Sequence, residues 1–317
     1  MHKWTEEELE FVPCDFCAQQ EARPAYKRRD GMSVVECPLC GLAYLNPRPR
    51  SELIHRFYEK AYFDGTAKLN GDGGLQVKAD NIEDQTGKVK VINRRLSLIE
   101  EQIGDIQGKK ILEVGCATGD MLYALKSRGA NVYGIEISRY ATDIACERGF
   151  NVICGEVEDY AVGRNESFDV VIAYEVIEHV KSPARFLKTL ANLIKPDGLI
   201  VLDTPNFGCA KRFGDNWFGF QTSFEHLYFF SLESLGRYAR NTGLNIVYWE
   251  TNLDNGIYPR SDSLQDRFCN RINKFFLLLA VIGIFRLFEI FKRRESLFHP
   301  YGDGHTLQVA MKKTITK

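Results

Sequence analysis

A doubly wound α/β fold is predicted from three observations: short, wholly apolar runs alternate with amphipathic ones, a glycine turn follows the first apolar run, and acids end the first two runs. Apolar strands between helices imply a mainly parallel sheet covered on both faces. The alternation opens with an amphipathic helix in KVKVINRRLSLIEEQIG, where Val91 and Leu98, with Ile92 and Ile99 beside them, recur at helical spacing. KKILEVGC reads as a strand, DMLYALKSRG as a helix ending on glycine, NVYGIEIS as a strand, SRYATDIACERG as a helix and FNVICG as a third strand. FDVVIAYEVIEHV reads as strand into helix, PARFLKTLANLIKPDG as a helix stopped by Pro-Asp-Gly, and LIVLDTPN as a strand. SLESLGRYARNTG and LNIVYWET repeat helix then strand, and HTLQVAMKK closes the sheet.

The spacing of signals predicts a small domain over residues 1–50, a linker and helix over 51–84, and a large domain over 85–317 interrupted by a basic, apolar insertion at 251–305. LNPRPR ends the first zone, and its prolines read as a linker; DGTAKLNGDGGLQ reads as a polar, glycine-rich loop. The 317 residues carry 41 Lys and Arg against 42 Asp and Glu, so no global field draws the chain to nucleic acid or an anionic membrane. The first residues lack the layout of a secretory signal, which places the expectation in the cytoplasm.

Of nine cysteines, four fall in two tight pairs and five are scattered among apolar residues, which suits one metal site in a reducing compartment. Cys14-x-x-Cys17 and Cys37-x-x-Cys40 are separated by 19 residues, the spacing of two zinc knuckles brought together by a hairpin. Four thiolates leave zinc no open position, so a structural Zn²⁺ in a zinc ribbon is expected.

In ILEVGCATGD, Glu113 ends a strand and Gly115, Ala117 and Gly119 line the turn into the next helix. Such a turn brings backbone N–H groups close to a ligand. A dinucleotide fingerprint needs a different glycine spacing, and here Asp120 follows, where pyrophosphate would meet a carboxylate. Glu136 ends the second strand, placed to accept hydrogen bonds from ribose hydroxyls. This combination resembles the class I S-adenosylmethionine-dependent methyltransferases over roughly residues 85–250 and the terminal strand, through ILEVGCATGD, VYGIEIS, CGEVEDY, FDVVIAYEVIEHV and LIKPDGLIVLDTPN. The resemblance implies that Glu113 and the turn from Gly115 through Ala117 to Gly119 hold the methionine moiety. It further implies that Glu136, with Ile137 beside it, meets the ribose, and that Glu156 and the backbone at Val157 meet the adenine amino group. Ala117 departs from the usual middle glycine.

For the acceptor, AYEV stands where amino-methylating enzymes carry Asp/Asn-Pro-Pro-aromatic, which lowers amino acceptors. Oxygen or carbon acceptors need a base, and histidine titrates in the right range. His179 lies four residues after Glu175, where a helix would pair them; Glu225-His226 lies in SFEHLYFF. Each histidine has a structural alternative, as a polar cluster beside the cofactor or an anchor for its loop. The ribbon, the core and WFGFQTSFEHLYFFS together resemble ribbon-bearing methyltransferases of sugar-nucleotide and surface-polysaccharide pathways, in which the histidine of the Glu-His pair is the base. The resemblance therefore implies a small carbohydrate-type acceptor, with an RNA acceptor held by the ribbon or a lipid-linked acceptor as alternatives.

FFLLLAVIGIF, residues 275–285, is too short to span a bilayer before Arg286 and Glu289 interrupt it. With basic residues on both sides, the 275–294 segment reads either as a peripheral membrane contact or as a lid packed on the domain or on a second copy of the chain in a homo-oligomer.

Overall fold

The computed structural model describes residues 4–58, 82–221, 223–252 and 304–314. The glycine-rich loop at 64–76, the 275–294 segment and most of the 251–305 insertion lie outside the described residues. No helix among the described residues is long and apolar enough to cross a membrane.

The chain first forms β1 (Leu9–Glu10), β2 (Arg23–Lys27), β3 (Ser33–Glu36), β4 (Ala43–Leu45) and β5 (Arg48–Pro49). The segment expected as a linker thus contributes a strand, because β5 pairs antiparallel with β1. Helix α1 (Ile82–Ile103) then leads into β6 (Lys110–Val114), α2 (Asp120–Ser127), β7 (Asn131–Glu136), α3 (Arg139–Glu147) and β8 (Val152–Cys154). After β9 (Phe168–Tyr174) come α4 (Pro183–Leu193), β10 (Ile194–Pro205), β11 (Tyr228–Phe229), α5 (Leu232–Asn241), β12 (Leu244–Asn252) and β13 (Thr306–Lys313).

Seven strands make one sheet in the order β12-β13-β10-β9-β6-β7-β8, parallel from β10 to β8, with β13 antiparallel to both β10 and β12. The apolar strands work because alternate residues serve opposite faces. Leu112, Val171, Ile200 and Leu202 enter one core, and Ile111, Val170, Ile172 and Val201 enter the other. Helices start where short polar side chains cap them: Ser138, Ser182 and Ser231 each accept from a backbone N–H one turn on. Along α1, Leu98 and Ile99 are buried while Val91 points outward.

Two local expectations differ. Residues 175–181 form a turn, with the next helix starting only at Pro183, so Glu175 and His179 are not paired on a helix face. Pro-Asp-Gly does not form a loop after α4 but lies inside β10, whose register shifts between Ile194 and Leu199.

The cysteine-bearing segment is continuous with the large sheet's surroundings. A four-stranded antiparallel sheet in the order β11-β4-β3-β2 places Tyr228 opposite Tyr44 and Phe229 opposite Ala43. Tyr26 packs on Phe207 and Phe220, and Trp217 fills the space between Phe207, Phe220 and Phe229. Tyr228 and Phe229 of the SFEHLYFF stretch are therefore the fourth strand of the sheet that the cysteine-bearing segment forms.

Candidate active site

Two clusters meet at the carboxyl edge of the parallel sheet, between β6, β7, β9 and β10. The first surrounds the glycine turn. Gly115 has φ +74°, and a Cβ there would sit 2.6 Å from Val176 Cγ2, so only glycine fits both the backbone and the neighbour. Ala117 also adopts a left-handed conformation, φ +46°, which its methyl group tolerates. Its N–H donates to Glu136 Oε2 at 2.9 Å, while Ser138 N–H donates to Glu136 Oε1 at 2.9 Å. Glu136 is thus fixed by backbone donors; each oxygen keeps a lone pair for a further donor such as a hydroxyl. Burial raises its carboxyl pKa, and the two N–H groups oppose that rise. Gly119, φ +89°, starts α2 and lies so close to Phe150 that a Cβ would fall 2.8 Å from its ring.

Glu113 is only 5% accessible, and its Oε2 has no hydrogen-bond partner among the described residues. Burial lifts its carboxyl to about 8; Arg95 pulls it down, while Glu136 and Asp120 push it up. Arg95, from α1, donates to Asp203 Oδ2 from Nη2 at 2.8 Å and from Nε at 3.1 Å, and lies over the Tyr174 ring at 4.1 Å. Neither Arg95 nor Asp203 was singled out from sequence, although an acid inside the apolar run LIVLDTPN was a visible signal. A buried carboxyl with one unpartnered oxygen, beside a turn with no room for a side chain at Gly115, suits a compact cationic ligand head, and Ile137, 41% exposed beside Glu136, offers apolar surface for a flat ring. These residues fit S-adenosylmethionine. Of the two positions expected at the adenine, Glu156 forms an ion pair with Lys181 at 2.7 Å, and Val157 is buried at the start of a single helical turn.

The second cluster surrounds the turn that follows Val176. Glu175, φ +54°, turns the chain out of β9, and its N–H donates to Asp203 Oδ1 at 2.9 Å. Glu178 then points inward: it is fully buried, and neither carboxylate oxygen has a hydrogen-bond partner among the described residues. Burial pushes its pKa well up, and the charge of Glu175 adds to the shift. The imidazoles of His179 and His226 meet edge to face with centroids 4.6 Å apart. Their Nε2 atoms lie 3.8 Å and 4.0 Å from Glu178 Oε1. His179 Nδ1 is 3.4 Å from the Glu225 carbonyl, and His226 Nδ1 has no partner among the described residues. Burial lowers the pKa of His179 to about 4 and that of His226 well below its ordinary value.

The structure brings His179 and His226 together, as neither spacing nor adjacency indicated. The acid facing both rings is Glu178, whereas Glu225, next to His226 in sequence, meets His179 through its backbone carbonyl. The cluster can act chemically in two ways. A neutral imidazole can take a proton from an acceptor hydroxyl. Alternatively Glu178, His179 and His226, whose ligand atoms all lie within 4.8 Å of one another, can hold a divalent cation.

The four knuckle cysteines also converge. Cys14 Sγ lies 3.4 Å from Cys40 Sγ, and Cys17 Sγ lies 3.4 Å from Cys37 Sγ, with all four within 4.8 Å. A zinc–sulfur bond of about 2.3 Å places tetrahedral sulfurs about 3.8 Å apart, so the donor set fits Zn²⁺.

Comparison with known proteins bears on both halves. Proteins named "Ubiquinone biosynthesis O-methyltransferase" are 35% identical over 155 residues in Neisseria meningitidis serogroup C, covering 44% of this chain and 65% of that protein. The same name attaches to a Salmonella paratyphi A protein, 33% identical over 144 residues, covering 42% of this chain and 57% of the relative. The chain thus spans less than two thirds of these relatives' length. Among solved structures, an S-adenosylmethionine-dependent methyltransferase from Archaeoglobus fulgidus is 18% identical, with a TM-score of 0.47, covering 71% of this chain and 94% of that one. These relatives correct one expectation: they are named for a quinone pathway, and the carbohydrate-type acceptor inferred from the ribbon and WFGFQTSFEHLYFFS is overturned. The aromatic residues of that run pack on one another and on Tyr26 of the cysteine-bearing segment. The methyltransferase domain family matches residues 88–248, a little over half of the chain, from within α1 to within β12 and including both clusters; the chain belongs to this family, with the S-adenosylmethionine-dependent methyltransferase core expected from its glycine turn.

Proposed function

We propose that the protein is an O-methyltransferase that transfers the methyl group of S-adenosylmethionine to a ring hydroxyl of a lipid-soluble or lipid-linked acceptor. The observation that carries this reading is the buried His179–His226 pair against Glu178, set next to the glycine turn through Val176. The name shared by the curated relatives supports the acceptor atom and its quinone-like class.

S-adenosylmethionine supplies a methyl group on a sulfonium that is already a good leaving group. The remaining work belongs to this chain's residues. Glu113 and the turn from Gly115 to Gly119 hold the methionine end, and Glu136 receives the ribose hydroxyls. His226 would take the acceptor's hydroxyl proton as the oxygen bonds to the methyl carbon and the carbon–sulfur bond breaks, with S-adenosylhomocysteine as the leaving group; Glu178 faces both rings, and Glu225 fixes the His179 ring through its carbonyl. Positioning supplies the rest of the acceleration, because the reaction needs only an in-line approach. The convergence of Glu178, His179 and His226 favours a second reading of the same site, in which the three hold a cation that binds the acceptor oxygen directly. The Cys14, Cys17, Cys37 and Cys40 cluster holds a structural Zn²⁺. A lipid-soluble acceptor also gives a purpose to the apolar sequence at 275–285 and its basic flanks, as the contact with a membrane surface.

The test is transfer of labelled methyl to a catechol carrying a prenyl tail. His226→Ala should lower turnover about 100-fold or more and leave affinity for S-adenosylhomocysteine unchanged. Absence of product from catechol and hydroquinone acceptors alike would sink the reading. Turnover that is lost to a chelator and restored by Mg²⁺ or Mn²⁺, at constant zinc content, selects the cation reading over the base.

A further inference from the structure

Arg28 stands just after β2 in the ribbon and is 3% exposed, although KRRD reads in sequence as a surface charge run. Its guanidinium does not point to solvent. Nη1 donates to the His226 carbonyl at 3.0 Å, Nη2 donates to the Phe224 carbonyl at 2.9 Å, and Nε donates to Asp30 Oδ1 at 3.1 Å. Asp30 also pairs with Nη2, so the buried charge is compensated inside the ribbon, and the Phe224 ring lies 5.4 Å away under the cation. The planar fork therefore spans two carbonyls and one carboxylate at once.

The rest of this segment is fixed from the same two sides. The Leu227 carbonyl accepts from Leu45 N–H of β4 at 2.8 Å, and the N–H groups of Leu227 and Tyr228 donate to the Glu178 carbonyl at 2.8 and 3.1 Å. With the Glu225 carbonyl against His179 Nδ1 at 3.4 Å, every carbonyl from Phe224 to Leu227 has a partner, and three of the four partners come from the ribbon. The backbone that carries His226 is thus held from one side by Arg28 and β4 and from the other by the Glu178 carbonyl and the His179 ring.

We propose that Arg28 is a positioning residue for methyl transfer: from the ribbon, it sets the backbone that aims His226, so that the ribbon is part of the acceptor site. This inference rests on the assignment of His226 in the proposed function. A displacement of about 1 Å at a reacting group can cost about 100-fold in rate, so the effect should appear in kcat and not in cofactor binding.

The decisive experiment is a double-mutant cycle on the full chain, with the prenylated catechol as acceptor. Arg28→Lys keeps the charge but cannot reach both carbonyls and Asp30. It should lower kcat about 10- to 100-fold, with acceptor KM and S-adenosylhomocysteine affinity within about threefold of wild type. In a His226→Ala background, the same substitution should cost less than about twofold. Equal losses in both backgrounds, or an unchanged kcat, would overturn the proposal. The His226 ring signal in a ¹³C-histidine NMR spectrum gives a readout independent of turnover: it should move in Arg28→Lys, and an unmoved signal also overturns the proposal. If Arg28→Lys does not fold, Asp30→Asn loosens the same guanidinium with a smaller change and must shift the same signal. Should His226→Ala itself leave turnover intact, the base assignment falls and takes the catalytic consequence with it, whereas a failure at Arg28 alone leaves that assignment standing.

Discussion

Binding of S-adenosylhomocysteine should release a proton, and the group that releases it should be Glu113. In the free protein, burial holds this carboxyl at about 8, above the ordinary 4.5, and Oε2 faces no donor. A bound ammonium beside it favours the charged form, which returns the pKa towards its ordinary value. At pH 6 the carboxylate must first be made, about two pH units below its pKa, which costs about 2.7 kcal/mol and weakens apparent affinity about 100-fold against the plateau above pH 8. At pH 7 the penalty is about tenfold. The ligand's own ammonium stays charged over this range, so the slope belongs to the protein. Calorimetry at pH 6, 7 and 8, in two buffers of different ionisation enthalpy, measures both the affinity and the protons released. Glu113→Gln should flatten the profile. The same shift has an opposite consequence for the ligand-free protein: stability from the neutral buried carboxyl is full below about pH 4.5 and is lost as pH rises through about 8. The thermal shift produced by ligand should therefore grow from pH 6 to 8. A wild-type affinity that is flat over that range, with no buffer-dependent heat, would refute the assignment of Glu113 to the methionine end.

Gly115→Ala should cost about 2–4 kcal/mol, from a left-handed backbone plus overlap with Val176, and should weaken S-adenosylhomocysteine binding at least tenfold; thermal melting and calorimetry measure both. Arg95→Met leaves Asp203 buried without its guanidinium and should lower stability by about 3 kcal/mol in denaturant titration. It should also move the Glu113-linked binding profile to higher pH, because the Arg95 charge now holds that pKa down. Cys37→Ser should reduce bound zinc from about one per chain to near zero, measured by elemental analysis, and lower the melting temperature.

The glycine turn and the acids beside it were largely legible in sequence, because their signals are local. An apolar strand, an acid at its end and a turn that excludes side chains occur within ten residues, and the backbone at Gly115 and Gly119 has the left-handed geometry those glycines implied. The acceptor half was not, because its residues converge from three distant segments. Adjacency suggested Glu225 as the partner of His226, but in non-helical chain successive side chains do not share a face, and the facing acid is supplied by Glu178. The apolar spacing of EVIEHV suggested a helix, yet its first residue turns left-handed and breaks the periodicity on which that reading depended. Arg28 gave no signal at all, since a buried guanidinium in a basic tripeptide looks like any solvated charge until its carbonyl partners are placed.

That division has a consequence for how the acceptor is chosen. The family match begins at residue 88, whereas the strands and the guanidinium that hold His226 lie before residue 50. On the proposed assignment of His226, a change in the cysteine-bearing segment can therefore move the reacting histidine without touching Glu113, Glu136 or the glycine turn. Because the cofactor's sulfonium carries the intrinsic reactivity, discrimination between hydroxyl acceptors must come from how well each aligns with the methyl group and His226. On the proposed assignment, the shared core accounts for methyl transfer, and the cysteine-bearing segment, through Arg28 and β4, becomes the part of this chain on which acceptor shape depends.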